Sequence, residues 1–275
     1  MGTPPSLHEC LDEWVDTKQP LTSINTEIKY GMPQASGVLP FCIVENTVFY
    51  LLGKESYRKG FYEYGTWCDF GGSITKKAMG EFDPALVTAA QELLEESIGT
   101  CAKDNSNLKD VCSYIQNNLY MVITSFFGKK IPYRMYVVRI PFSNIPEEFQ
   151  IRHRIATRFR FPPGNSTTLA NSNKYLVIQR EKLREKQPHL FTKAGRTKRH
   201  FLEKDSLQWV SSDVLQQCLD NGRQNSPLNI KLRSEFAQTL VKEDVLRKLN
   251  LIIKADTSKR VPPPPGFDEG DLIKK

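Results

Sequence analysis

The sequence predicts an α/β protein. Two pairs of short apolar runs read as β-hairpins, and one helix with start and stop signals stands between them. The first pair is Val38–Val44 and Thr47–Leu52, joined by the turn-like Glu45-Asn46. The second is Leu119–Phe127 and Tyr133–Ile140 around Gly128-Lys129-Lys130. The helix has Asp83 as N-cap, Pro84 at its first position and Gly99 as its C-terminal stop. Leu86, Ala89, Ala90, Leu93 and Leu94 recur along one side of it.

The remaining elements follow in chain order. Residues 1–30 read as an N-terminal extension, with Ser6 and Glu9 as a capping box before Leu7, Leu11, Trp14 and Val15 at helical spacing. Gly53 to Gly65 is a polar, aromatic loop. Thr66–Phe70 is a strand leading into Gly71-Gly72, and Ser73–Glu81 is polar. Phe142 to Asn173 is predicted irregular, and Tyr175–Ile178 and Leu207–Val210 are short strands. Residues 213–255 alternate helical patterns with Asn221-Gly222 and Ser226-Pro227 breaks. Residues 256–275, with Pro262–Pro265, form a flexible proline-rich tail that can dock a protein partner.

The 275 residues suit one large domain with additions. At 39% hydrophobic and 25% charged, the chain can bury a sizeable core. It lacks a run of about 18–20 apolar residues, so no membrane partner is expected. The six cysteines lie far apart without a C-x-x-C pair, which reads as reduced thiols in a cytoplasmic setting. Phosphate-loop, H-E-x-x-H and G-x-S-x-G patterns are absent, and the four histidines lack ligand spacing.

Glu92, Glu95 and Glu96 fall within a sector of roughly 100° on the helix. Like charges so placed repel, and hard cations such as Mg²⁺ favour oxygen ligands of this kind. Taken alone, E-x-x-E-E reads as a solvated acidic face. The run Trp67-Cys68-Asp69-Phe70-Gly71-Gly72 ahead of the helix makes the arrangement more specific, because glycine lets a ligand or a side chain approach the backbone closely.

Strand, glycine pair, loop and acidic helix together resemble the Nudix hydrolase superfamily, whose box runs G, five residues, E, seven residues, then R-E-U-x-E-E-x-G-U. Gln91 to Glu96 matches R-E-U-x-E-E except at its first position. Asp83 stands where the family has Glu, the loop after Gly72 is longer, and Gly99 sits one place late. The W-x-D-F-G-G and E-E-S-I-G runs look like a subset known from large DNA viruses and some eukaryotes. The resemblance covers roughly residues 37–140 and resumes near Phe201–Val210.

That resemblance implies an α/β/α sandwich with a mixed sheet over residues 31–212, carrying a basic insertion at about 141–200. It also implies an enzyme that hydrolyses a diphosphate bond in a nucleoside diphosphate derivative with Mg²⁺ or Mn²⁺. By position, the Gly71 carbonyl, Glu92 and Glu96 would ligate metal and Glu95 would assist. Glu92 or Glu203 would orient or deprotonate the attacking water. Gln91 lacks the charge with which the family's arginine holds a catalytic glutamate. Activity would then be reduced, or restored by another cation such as Lys76 or Lys77. A fold that binds without catalysis is the alternative.

The net charge of +7 is unevenly spread. Arg152, His153, Arg154, Arg158 and Arg160 form one cluster among Ile151, Ile155, Phe159 and Phe161. Residues 180–200 hold eight Lys/Arg, including Lys193, Arg196, Lys198 and Arg199, against Glu181 and Glu185. Such surface suits a phosphate backbone, with aromatic neighbours for bases, or else a solvated helix. By analogy with decapping Nudix enzymes it favours capped RNA over a nucleotide sugar, dinucleotide or damaged nucleotide. Tyr57, Phe61, Tyr62, Tyr64 and Trp67 suit base stacking or loop packing.

Overall fold

The computed structural model describes residues 32–57, 62–75, 77–102, 106–127, 131–158, 178, 181–186, 188–192, 199–221 and 229–255. The predicted extension, the Gly128–Lys130 turn, the tail and the strand Tyr175–Ile178 apart from Ile178 lie outside these residues.

Seven strands form one mixed sheet: β1 Ala35–Val44, β2 Thr47–Glu55, β3 Trp67–Cys68, β4 Phe70–Ser73, β5 Leu119–Phe127, β6 Ile131–Arg139 and β7 Lys204–Ser211. The path runs β3-β2-β1-β6-β5, with β7 on β2 and β4 on β1. β1 is parallel to β6 and antiparallel to both β2 and β4. Glu45 and Asn46 take φ of 46° and 70°, the left-handed pair of a tight hairpin turn, so the predicted first hairpin forms.

Every residue of β1 is buried, as expected of a strand covered on both faces. Its alternation divides the core. Val38, Cys42 and Val44 face one apolar cluster with Leu86, Ala89, Ala90 and Leu93. Leu39, Phe41 and Ile43 face the other, with Leu215, Phe236, Leu240 and Leu249. Helices therefore cover both sides of the sheet, in an α/β/α sandwich. The first layer holds α1 Pro84–Glu96, α2 Leu108–Asn117 and α3 Ile145–Arg158. The second holds α4 Ser212–Asp220, α5 Ser234–Lys242 and α6 Val245–Ala255.

Helix α1 starts as its sequence indicates, with the Asp83 carboxylate accepting from the Leu86 N–H at 2.8 Å and Pro84 in the first turn. It ends at Glu96 rather than at Gly99. Ser97 caps it, and Ile98 and Gly99 follow at φ of 52° and 70°. The Gly99 N–H returns to the Leu94 carbonyl at 2.8 Å, which closes the last turn.

Two features differ from expectation. Residues 145–158 form helix α3 where an irregular stretch is predicted. Glu147 and Glu148 in its first turn suit the helix N-terminus, and Phe149, Arg152, Ile155 and Ala156 are buried at helical spacing. The arginine in that buried set masks the apolar stripe. Helix α2 forms in a stretch for which no element is predicted, and it starts at a capping box between Asn107 and Asp110. Among the described residues no helix is long and apolar enough to cross a membrane.

Candidate active site at the glycine pair and acidic helix

β4 and α1 meet at the glycine pair. The Gly71 N–H donates to Glu96 Oε2 at 3.0 Å. A Cβ on Gly71 would lie 2.7 Å from the Tyr133 hydroxyl and 2.9 Å from Gly37 Cα, so the β1–β4 contact excludes a side chain there. A Cβ on Gly72 would lie 2.4 Å from Glu92 Oε1, so the Glu92 carboxylate rests against bare backbone. Glu92 and Glu96 thus gather on the pair that the sequence singles out.

Glu96 is buried, and Lys204 Nζ lies 3.2 Å from its Oε1. The same ammonium lies 2.8 Å from Glu55 Oε1 at the end of β2 and donates to Cys68 Sγ at 3.2 Å. Glu55 Oε1 also accepts from the Cys68 thiol at 3.2 Å and faces Arg233 Nη1 at 3.4 Å. Asp69, in the break between β3 and β4, accepts from the Tyr133 hydroxyl.

The electrostatics follow from crowding. Burial raises the Glu96 carboxyl well above the usual carboxylate range. Lys204 opposes that shift, while Glu55, Glu92 and Glu203 add to it. Burial also works to raise Glu55, but Lys204 and Arg233 outweigh it and hold Glu55 below its ordinary value. Burial would deprotonate Lys204; Cys68, Glu96 and Glu55 instead hold its pKa well above that of an exposed lysine.

The other anticipated residues divide. Glu203 is half-buried, and its carbonyl accepts from the Ser56 N–H at 2.9 Å, which ties the β2–β3 loop to the acidic group. Glu95 is held on the helix surface, where Gln91 Nε2 donates to its Oε1 at 2.6 Å. Gln91 therefore retains a hydrogen bond to a box glutamate without charge. Lys77 is exposed and Lys76 is outside the described residues; among the described residues the cation that meets Glu96 is Lys204.

Arg152 requires correction as a nucleic-acid contact. It is 7% exposed, donates to the Ile98 carbonyl at 3.1 Å and pairs with Glu148. It closes the exit of α1, where a cation favours the free carbonyls. Arg154 is exposed. The side chains of Arg158 and Arg199, and all of Lys193, Arg196 and Lys198, fall outside the described residues. Residues 181–186 are helical, and Arg184 lies 3.9 Å from Glu181 across an exposed turn.

Glu55, Lys204, Cys68 and Arg233 escape sequence reasoning. The available signal is a charged residue closing an apolar strand, two positions after Gly53, which itself interrupts that strand. Tyr57 and Tyr64 flank the same loop, 72% and 56% exposed, with ring centroids 5.4 Å apart. Trp67 is instead core, and Phe61 lies outside the described residues.

The donor chemistry suits a hard divalent cation. Glu55, Glu92, Glu96 and Glu203 outnumber the local cations Lys204 and Arg233, and their repulsion adds to the burial that raises Glu96. Glu96 Oε2 accepts the Gly71 N–H and Oε1 faces the Lys204 ammonium as an ion pair, so both oxygens keep lone pairs. Among the described residues no three carboxylate, thiol or imidazole groups are placed to hold a metal ion, the point that Glu55, Cys68 and Glu96 surround being filled by Lys204, so the fit is one of chemistry rather than closed geometry.

No family model and no curated protein matches the chain. Among solved structures, a C. elegans Ap4A hydrolase binary complex is similar over 82% of this chain and 99% of its own, with 10% identity and a TM-score of 0.35. A Nudix hydrolase from Alicyclobacillus acidocaldarius is similar over 85% and 98%, with 11% identity and a TM-score of 0.39. A mutT/nudix family protein from Listeria innocua is similar over 83% and 97%, with 14% identity and a TM-score of 0.34. The solved structures to which this chain is similar thus include Nudix and mutT/nudix proteins.

Proposed function

We propose that the chain hydrolyses a diphosphate linkage in a nucleoside diphosphate derivative, with Mg²⁺ or Mn²⁺ bound by Glu92 and Glu96 and with Glu203 beside them. The observation that carries this reading is the pairing of the acidic face of α1 with Gly71-Gly72, where both carboxylates meet backbone that has no side chain. A bound divalent ion would supply Lewis acidity toward phosphoryl oxygens and water. The chain's own part is positional. Gly71 N–H and Lys204 fix the Glu96 carboxylate, and Glu203 or Glu92 can accept a proton from the attacking water. Exposed Tyr57 and Tyr64, on the loop tied to Glu203, offer rings on which a base can stack.

The favoured substrate is capped RNA. The basic run 180–200 stands in the sequence directly ahead of Glu203, and a phosphate backbone is the partner its charge suits. Neutralising Arg196, Lys198 and Arg199 together is expected to weaken RNA binding and flatten its salt dependence. A second reading, nucleic-acid binding without turnover, is favoured by Lys204 standing among the carboxylates.

Incubation of cap-labelled RNA with the protein and Glu96→Gln, with and without Mg²⁺, tests the reading. Metal-dependent release of the capped nucleoside diphosphate is expected, reduced by about 100-fold or more in the variant. Release from small dinucleotides alone would overturn the RNA assignment. Release from no diphosphate substrate would leave the binding reading.

A further inference from the structure

Lysine is rarely fully buried, and Lys204 is 1% exposed at the centre of the acidic group. Three features of the chain build this position. The β2–β7 register shifts between Lys54 and Glu55, so that Lys54 faces Ser206 while Glu55 faces Lys204 and Asp205 is left over. A bulge of that kind re-aims a side chain. Gly53, inside β2 where glycine weakens a strand, makes room for the lysine stem: a Cβ there would lie 3.0 Å from Lys204 Cδ. Finally, acceptors from three elements close on the ammonium, namely Glu55 Oε1 at 2.8 Å, Cys68 Sγ at 3.2 Å and Glu96 Oε1 at 3.2 Å. The ammonium donates to Glu55 and Cys68, and its charge pairs with the Glu96 carboxylate.

We propose that the Lys204 ammonium is the resident cation of an inner site made by Glu55, Cys68 and Glu96, and that it acts as a positioning residue by fixing Glu96 toward Glu92 and Glu203. The consequence for turnover rests on the hydrolase reading; the inner site itself does not. Asp69, Glu203 and Arg233 complete its charged surroundings. Removal of the lysine leaves two carboxylates and a thiol around a vacated space. That donor set selects a borderline-soft transition ion rather than Mg²⁺, because sulfur is a poor ligand for hard cations.

The test uses the full chain as wild type, Lys204→Ala, Lys204→Arg and Lys204→Ala/Cys68→Ser, each titrated with Co²⁺. Lys204→Ala is expected to bind one more equivalent than wild type. It should also gain a near-ultraviolet sulfur-to-cobalt absorption, as Cys68 releases its proton to solvent and ligates as thiolate. Wild type, Lys204→Arg and the double variant should show no such band. A folded Lys204→Ala without the extra equivalent or the band overturns the proposal. Should Lys204→Ala be unfolded alone, Co²⁺ should restore its circular dichroism, and failure to do so likewise overturns it. In turnover, Lys204→Ala is expected to lose about 10–100-fold in kcat while Lys204→Arg retains most of it. Equal loss in both overturns the positioning role. An inactive wild type would sink the hydrolase reading alone, since the cobalt measurement needs no catalysis.

Discussion

The Gly37→Ala variant is expected to lose about 3 kcal/mol of folding stability, seen as a lower urea midpoint at unchanged slope. Gly37 in β1 pairs with Gly71 in β4 on one side and with Met135 in β6 on the other. A Cβ there would lie 2.2 Å from the Tyr133 hydroxyl, 2.5 Å from the Phe70 carbonyl and 2.9 Å from Gly71 Cα. Two of those three neighbours are backbone and cannot swing aside. The third is engaged with Asp69, so its displacement breaks a buried hydrogen bond. Gly72→Ala provides the contrast, because its three nearest atoms all belong to the Glu92 carboxyl group at the end of a flexible side chain. That variant should unfold close to wild type while losing activity, since the carboxylate it displaces is the one assigned to metal. An unchanged midpoint in Gly37→Ala would mean that β1 and β4 do not pack as closely as their register requires.

The same contacts show how far the sequence could be read. Helix α1 was legible because its cap, its proline and its stop are local signals that tertiary packing did not override. β1, β2 and β5 were legible as apolar runs, and the turn at Glu45-Asn46 as a polar break between two of them. Helix α3 was hidden because its buried face includes Arg152, a charge that sequence reasoning assigns to solvent. Glu92 and Glu96 were legible because both lie on one helix beside the glycine pair. Glu55 and Lys204 were not, since their meeting depends on a register shift between strands 149 residues apart in the chain. Periodicity reports which face a residue occupies; it cannot report a bulge that changes that face.

Lys204→Met should be the most damaging single change near the carboxylates, costing about 3–5 kcal/mol at neutral pH, because it strips a buried ion group of one partner. The loss should depend on pH in a direction that identifies its cause. In the wild type, burial tends to raise Glu55, but Lys204 and Arg233 hold it below its ordinary value. Its contribution is therefore present above the unfolded carboxyl pKa and is lost as pH falls through the lower folded value. Without the ammonium, burial and mutual repulsion act on Glu55 against Arg233 alone, so its folded value moves up past the unfolded one, while Glu96, already raised in the wild type, moves higher still. The folded variant then binds more protons than its unfolded chain, and its stability rises as pH is lowered from about 8 to about 5. The gap between variant and wild type should narrow toward acid. Adding Glu55→Gln and Glu96→Gln to Lys204→Met should remove that pH dependence, since neutral amides need no counter-ion. A deficit of the same size at both ends of the range would assign it to lost packing of the lysine stem over Gly53, and the ammonium would then not be what holds Glu55 ionised in the core.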